Sequence, residues 1–596
     1  MTRKENTTIP KSEVVGIGMK LKILPSAILC LTVLYTLLCF PFLQYDSIWI
    51  SDEGNRIIAA EARAADSSGA IADLFGEISD GKNSLSAFPP PYFLKGKNPS
   101  EVRSAYSPCF PYLASLFLPV GSIPGARLFL SFLPALLCAV FTGLSVRELG
   151  LGARMAALAV CSAGFASPLL FYATLLLEIS LFSMISSMIL YWSLRYFRTK
   201  KISFLLGTGF LCGISLLFRE EGWILSAAIF VTFCCCGISL KKTASAFGCF
   251  LITAVPLCFW NYRDSGSIFG IHYVIYHSLG NAELSLSERL YSLFYFVWKS
   301  YGPPFPAMIS ACIFAAGFAG GLLFPEKWKR TEILRKILLC AAALAAVGNL
   351  YFLFCEKDPV MGTLSVQSLC ASFPLAVLPF LWMGGFFRGS AKRIRFAGMV
   401  LLISVLLTGL ALNFKTAGIF FGPRHFLFLM PFFFLLTFYV FFRFLARRRN
   451  ASFQSRMMFL IPLCILFTSS IGVQLFSLGV LKNKKDFSQQ MLQEIEGLGK
   501  ETVIATDIFW MPEELAVFHG KRGILYFKSG EDLRLFDRIA QKGQTIVMIL
   551  SRHFKNIDGK EMTDVLKSYQ VMTGKEFTPY PQSVMTIRLF YLIKQK

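Results

Sequence analysis

Apolar runs of about 20 residues recur along this chain, separated mostly by short polar connections. They fall at 23–43, 124–146, 155–173, 178–196, 202–218, 222–240, 243–260, 304–324, 336–355, 366–387, 396–413, 425–445 and 457–479. A helix needs roughly 20 apolar residues to cross the hydrocarbon of a bilayer. The pattern therefore predicts a mainly α, polytopic membrane protein with about thirteen spans. Two polar stretches are long. Residues 44–123 form a first loop in which Tyr106-Ser107-Pro108-Cys109-Phe110-Pro111-Tyr112-Leu113 leads into Leu116-Phe117-Leu118. That run is short and broken by proline, so it is expected to lie along the membrane surface. Residues 481–596 predict a small α/β domain. Its expected strands are Thr502–Thr506, Gly523–Phe527, Thr545–Leu550 and Met585–Ile593, with a helix at Leu533–Gln541. The domains are then a tail at 1–22, a membrane domain at 23–480 and the outer domain at 481–596.

Composition agrees: of 596 residues, 55% are hydrophobic and 16% charged. Residues 1–43 imitate a signal peptide, but the apolar run is long and no small-residue cleavage site comes after it, so it reads as a retained first span. The net charge of +23 would suit nucleic acid only if it were clustered on a polar domain. Most of the cations instead sit between apolar runs on alternate connections: Arg147/Arg154, Arg195/Arg198/Lys200/Lys201, Lys241/Lys242, Lys327 to Lys336, Arg388 to Arg395 and Arg443 to Arg456. The short connections of the other set carry only Arg219, Arg263, Arg289, Lys299, Lys357, Lys415 and Arg424. The positive-inside rule then puts the N-terminus in the cytoplasm, and the 44–123 loop and C-terminal domain outside. The sixteen cysteines lie mostly in apolar runs, and none falls in 480–596, so no disulfide framework is expected there.

Few ionisable residues sit mid-span, where ion-coupled carriers need them. They gather instead at outer ends: Asp52, Glu53, Glu178, Arg219, Glu220, Glu221, Arg263, Asp264, Arg424 and His425. Chemistry on a lipid at the outer surface fits that distribution better than transport. Asp52 and Glu53 also admit a plain reading. Ser51 would cap a helix whose first turn holds two acids, each stabilising it by about 0.3–1 kcal/mol against the dipole, with Arg56 as an i,i+4 partner.

Several motifs favour the chemical reading by resemblance. Asp52-Glu53 after the first span resembles the acidic motif of the GT-C superfamily, more narrowly of the protein O-mannosyltransferase and lipid A aminoarabinose transferase-like enzymes. Ser107 to Leu113 is similar to their Pro/aromatic stretch before the second span. Ser167-Pro168-Leu169-Leu170-Phe171-Tyr172 with Glu178 resembles their third-to-fourth span junction. Gly207-Thr208-Gly209-Phe210-Leu211-Cys212-Gly213 with Arg219 resembles their Gly-rich fifth span. Gly422-Pro423-Arg424-His425 with Pro431 is similar to their late Arg-aromatic-Pro segment, with His425 where tyrosine is commoner. The resemblance covers about residues 20–480.

It implies transfer of a sugar from a polyprenyl-phosphate donor to a lipid, glycan or protein acceptor, with inversion. Asp52 would take the acceptor's proton, and Glu53 would orient it, hold a metal or cap the helix. Arg424 first, then Arg219 and Arg263, would meet the departing phosphate. Glu178 and His425 join the substrate-binding set. Arg56 stands one position later than the Asp-Glu-x-Arg spacing of the aminoarabinose transferases, a departure from the pattern. A divalent metal is one option, with His272, His277 and Glu53 as mixed N/O ligands; hydrogen bonding at the interface is the other reading of those histidines. The resemblance suggests a bacterial inner membrane with a periplasmic site. Gly207, Gly209 and Gly213, inside an apolar run, read as close helix packing, and no nucleotide-binding fingerprint is present. Asp507, Trp510, His519 and Tyr526 are candidates for acceptor contacts in the C-terminal domain. The rival functions are a lipid or glycan transporter and a non-catalytic scaffold.

Overall fold

The computed structural model describes residues 17–65, 71–72, 93–95, 101–104, 106–270, 284–298, 329–355, 368–387, 391–412, 422–447, 453–499, 501–508, 510–518, 521–527, 545–551, 566–567, 569–578 and 587–594. The predicted 304–324 span and Leu533–Gln541 helix lie outside them, as do His272, His277 and His519.

Among the described residues, seven helical stretches are long and apolar enough to cross a membrane: Ile23–Leu43, Cys109–Glu148, Leu240–Arg263, Ile333–Tyr351, Lys392–Ala411, Arg424–Ala446 and Arg456–Glu496. Shorter apolar helices accompany them at Ala153–Phe165, Ile202–Ser215 and Glu221–Cys235. The chain is a polytopic, mainly helical protein. In order, the longer helices are α1 (Ile17–Leu43), α2 (Ser51–Ala65), α3 (Cys109–Arg127), α4 (Leu133–Glu148), α5 (Ala153–Phe165), α6 (Ile179–Thr199), α7 (Ile202–Ser215), α8 (Glu221–Cys235) and α9 (Leu240–Ser265). They are succeeded by α10 (Leu286–Trp298), α11 (Lys329–Cys355), α12 (Lys392–Ala411), α13 (Met430–Arg447) and α14 (Phe453–Glu496).

Several expected spans are broken, for local reasons. The 155–173 run stops as a helix at Phe165, because Ser167-Pro168 interrupts the backbone ladder before a single turn at Leu169–Tyr172. From residue 368 the 366–387 run is a string of turns holding Pro374, Pro379, Gly384 and Gly385, buried throughout most of its length. The Pro/aromatic run before residue 124 is helical, bending at Gly121 and Ser122 in the middle of α3. A five-residue π-helical stretch, Leu128–Phe132, then joins α3 to α4.

α6 lies deep in the bundle, against α4 and α7. Two of its serines are satisfied locally: Ser183 donates to Ile179 O at 2.8 Å and Ser187 to Met184 O at 2.6 Å. Ser186 instead donates to Phe428 O at 2.6 Å, tying α6 to the 3-10 turn Arg424–Leu429. The glycines of α7 act as the sequence suggests. A Cβ at Gly209 would overlap the Ala246 carbonyl, and one at Gly213 would overlap Thr253, so α7 and α9 cross at backbone contact. Large apolar side chains on α1, α9, α11 and α14, among them Leu29, Ile252, Leu344 and Ile461, point outward, as hydrocarbon-facing surfaces do.

α14 is 44 residues long and runs unbroken from the membrane domain into the C-terminal module. That module holds a five-stranded sheet, order β5-β4-β6-β8-β7, with β4 (Val503–Thr506), β5 (Ile524–Tyr526), β6 (Ile546–Ser551), β7 (Tyr569–Phe577) and β8 (Ile587–Lys594). β4 pairs in parallel with β5 and β6, while β8 is antiparallel to β6 and β7. The four expected strands are present, and β7 is an addition. A smaller sheet, β1 (Ile71–Ala72), β2 (Phe93–Lys95) and β3 (Glu101–Ser104), belongs to the first loop. Phe487, Met491, Leu492 and Ile495 of α14 pack with Ile504, Val547 and Leu589 of the larger sheet.

Candidate active site

The turn between α1 and α2 is held by buried polar contacts. Lys485 of α14 is wholly buried and donates to Phe42 O at 3.0 Å and Thr174 O at 3.4 Å. Ser47 Oγ returns a bond to Lys485 O at 3.0 Å, and Tyr45 donates to Asp486. Ile50 O accepts from Glu53 N at 3.0 Å, starting α2 where the first-turn acids were expected.

The two adjacent acids then diverge. The Glu53 side chain is 0% exposed and pairs with the equally sealed Arg127, Nε to Oε1 at 2.9 Å. Its carboxylate also accepts Leu176 N–H at 2.8 Å and Trp49 N–H at 2.8 Å. Arg127 donates further to Tyr45 O and to Ser47 O. Burial alone would raise the Glu53 pKa, but Arg127, Lys485 and the two amides lower it below its ordinary value. Glu53 thus pins α2 to α3 and to the turn before α6.

Asp52 faces the other way. Its side chain is 13% exposed, with Oδ2 at 2.5 Å from Arg424 Nη1 and Oδ1 accepting from Tyr106 OH at 2.6 Å. Burial would raise its pKa, yet Arg424 and Arg56 with the Tyr106 hydroxyl hold it well below the usual carboxylate range. Arg56 forks onto Glu178, Nη2 to Oε1 at 2.9 Å and Nε to Oε2 at 3.1 Å, with its guanidinium 3.4 Å from the centre of the Tyr106 ring.

Arg219 continues the chain. It donates to Glu178 Oε1 at 3.1 Å and forks onto Glu221 at 2.8 and 2.9 Å. His425 Nδ1 lies 2.6 Å from Glu221 Oε1, and Arg424 Nε donates to His425 Nε2 at 3.3 Å. A carboxylate only accepts, so these roles assign the proton of a neutral His425 to Nδ1. Three carboxylates and three guanidiniums, from six places in the sequence, close one network. Its open edge is Arg424 (21% exposed), His425 (17%) and Asp52 (13%), with Arg219 and Glu221 next at 12% each, while the Arg56–Glu178 pair is 6% and 7% exposed.

Sequence reasoning named Asp52, Glu53, Arg56, Glu178, Arg219, Arg424 and His425, and the fold brings all but Glu53 into this network. Arg263 lies exposed in the last turn of α9, apart from the bonds just described. Glu221 and Tyr106 join as further members. Glu221 was visible as an outer-end charge, and Tyr106 opened the Pro/aromatic motif. Arg127 lay inside a predicted span, where a fully buried arginine should have signalled a buried acid. No three His, Cys, Asp or Glu side chains converge as a metal site among the described residues. Glu53, with both oxygens engaged, is poorly placed to be a ligand.

The C-terminal module closes the back of the site. Its short helix α15 (Met511–Glu514) lies so close to α2 that a Cβ at Gly54 would overlap the Glu513 carbonyl. Glu514 pairs with Lys484 at 2.5 Å. Glu513 is fully buried beside Asn55, and neither side chain has a well-formed hydrogen bond. Burial, with Asp52 and Glu514 adding repulsion, raises the Glu513 pKa well above the carboxyl range. Of the other candidates, Asp507 is buried and Trp510 and Tyr526 pack within the module.

No protein-family model matches the sequence, and no curated protein matches it. Two solved structures of ArnT from Cupriavidus metallidurans are similar in fold at 11% identity, each alignment covering 94% of this chain and 97% of the other. The apo structure aligns with a TM-score of 0.43, and the one bound to undecaprenyl phosphate with 0.48.

Proposed function

We propose that the chain is an integral membrane glycosyltransferase that takes a sugar from a polyprenyl-phosphate carrier and passes it to a lipid, glycan or protein acceptor. The supporting observation is the Asp52–Arg424 pair at the open edge of a largely buried charge network. In this reading the pair sets a general base beside a phosphate-binding cation, Asp52 at the start of α2 and Arg424 at the start of the Arg424–Ala446 span.

In this reading the acceptor nucleophile attacks the anomeric carbon while Asp52 takes its proton. The bond from that carbon to the phosphate oxygen breaks, and the electron pair leaves with the lipid phosphate. A single displacement inverts the anomeric configuration. Base catalysis of this kind contributes typically 10²–10⁴-fold.

Arg424 explains how so acidic a carboxyl serves as base. A donor phosphate competes for the same guanidinium, and each unit of pKa that Asp52 regains is worth about 1.4 kcal/mol. Donor binding therefore switches the base on. Arg219 and Arg56 are held and neutralised by Glu178 and Glu221, so Arg424 is the cation that meets the departing phosphate. Glu53 and Arg127 are the strut beneath. The charge asymmetry supports a site on the outer face of the membrane, and the resemblance to polyprenyl-phosphate-dependent enzymes suggests a bacterial inner membrane.

The direct test is Asp52→Asn, assayed for transfer from a synthetic polyprenyl-phosphate sugar in reconstituted protein. A loss of at least a hundredfold is expected. Unchanged turnover in a correctly inserted variant overturns the reading, and flux of lipid without sugar transfer supports the transporter.

A further inference from the structure

The helix that carries Glu178 at its head ends in a second charged place. α6 has 21 residues, about 30 Å at 1.5 Å per residue, which matches the hydrocarbon thickness. Its last turn thus reaches the opposite membrane face. There the ends of α6 and α8 and the starts of α9 and α12 surround a half-open cavity of about 250 Å³. Lys200, Lys242 and Lys392 line it from three different elements, above an apolar wall that includes Phe197 and Ile238.

These lysines are unusually uncompensated. In residues 145–154, 195–204, 236–245 and 391–396 the sole acid is Glu148, whose two oxygens are taken by Arg195 at 3.0 Å and Arg198 at 3.2 Å. Among the described residues, none of the three lysines makes an ion pair. Lys200 stands in the left-handed region at φ 60°, and its ammonium lies over the Phe197 ring, 5.6 Å from the centroid. Gly237, also left-handed at φ 75°, turns the chain beside the Lys392 ammonium. α9 and α12 both begin at the rim with no side-chain cap, so their first N–H groups add to the positive potential.

Three like charges around one cavity call for an anion. A phosphate with its ester fits a volume equal to several waters of about 30 Å³ each. The flank of the cavity favours an amphiphile over a free ion: Leu240, next to Ser239 on the rim, is 77% exposed, and Phe247 two turns along α9 is 44% exposed. We propose that this cavity binds the phosphate of an anionic phospholipid in the leaflet opposite the Asp52 site, with the acyl chains lying along α9. Basic pockets between helix ends suit such headgroups. The inference does not depend on the reaction at Asp52.

The test uses the full-length protein purified in neutral detergent, with phosphatidylglycerol, phosphatidylcholine or glycerol 3-phosphate added. Binding is read by native mass spectrometry and thermal shift. Phosphatidylglycerol should stay bound and raise the Tm, and Lys200→Gln/Lys242→Gln/Lys392→Gln should weaken its retention at least tenfold. Arg154→Gln/Lys201→Gln/Lys241→Gln removes three exposed charges from the same face outside the cavity and should keep it. Equal losses in both triple variants overturn the site in favour of diffuse attraction. An equal response to glycerol 3-phosphate overturns the lipid as its occupant. Should the triple variant fail to fold, Lys392→Gln alone must still weaken retention, and no change there also overturns the proposal.

Discussion

Arg424 Nη1 sits 2.5 Å from Asp52 Oδ2, although 372 positions separate them in the chain. The pair joins the start of α2 to the turn before α13, and it sets the acidity of a carboxylate at the open edge. Removing Arg424 should therefore act on Asp52 as well as on donor binding. In Arg424→Gln the Asp52 pKa rises, so the acidic limb of kcat/KM moves to higher pH, while the donor KM rises tenfold or more. Arg424→Lys should restore part of the binding, since an ammonium keeps the charge but not the fork. A pH–rate profile checks both; an unmoved acidic limb would separate the arginine from Asp52 chemistry.

Glu53 and Arg127 are expected to behave as structure rather than chemistry. Leaving one partner of a buried ion pair costs about 3–5 kcal/mol. Glu53→Gln and Arg127→Met should each lower the Tm of the detergent-solubilised protein strongly. The double variant should recover part of that loss, because neither Glu53 nor Arg127 is then left as the unpaired half of the ion pair.

Glu513 gives a prediction with a definite sign. Its folded pKa is raised above the ordinary 4.5, so the unfolded chain ionises first as pH rises. Stability is full below about pH 4.5 and falls by about 1.4 kcal/mol per pH unit until the folded pKa is reached. Glu513→Gln removes that loss. Its Tm should exceed the parent's at neutral pH, with the gap closing below about pH 4.5. An equal gap at every pH would assign the effect to packing.

The depressed pKa values of Asp52 and Glu53 run the other way. They contribute stability that is present above the ordinary carboxylate range and lost as pH falls below it. Unfolding measured from pH 7 downward should show this acid loss, and Asp52→Asn should reduce it.

Gly54→Ala tests the seat of the C-terminal module. The added methyl meets the Glu513 carbonyl, and overpacking of this kind costs about 1–3 kcal/mol. The variant should expose α15 and its surroundings to protease sooner than the parent. Sugar transfer should fall without any change in the residues of the charge network.

Periodicity and transfer energy let the sequence by itself determine a polytopic helical chain, charges gathered at the ends of its apolar runs, four strands of the C-terminal sheet and close helix packing at the α7 glycines. These are local or one-dimensional properties, since a run of 20 apolar residues has few other fates. Motifs along the chain also located Asp52, Arg424, Arg219, Glu178 and His425. Only the tertiary structure decided what each charge does. Asp52 and Glu53 are neighbours on the first turn of one helix, about 100° apart around its axis, so one faces the open edge and the other the core. Arg127, Arg56 and Glu221 gain their meaning from partners 74, 122 and 204 positions away. No spacing rule reaches that far, because pairing across such distances is set by how the helices pack.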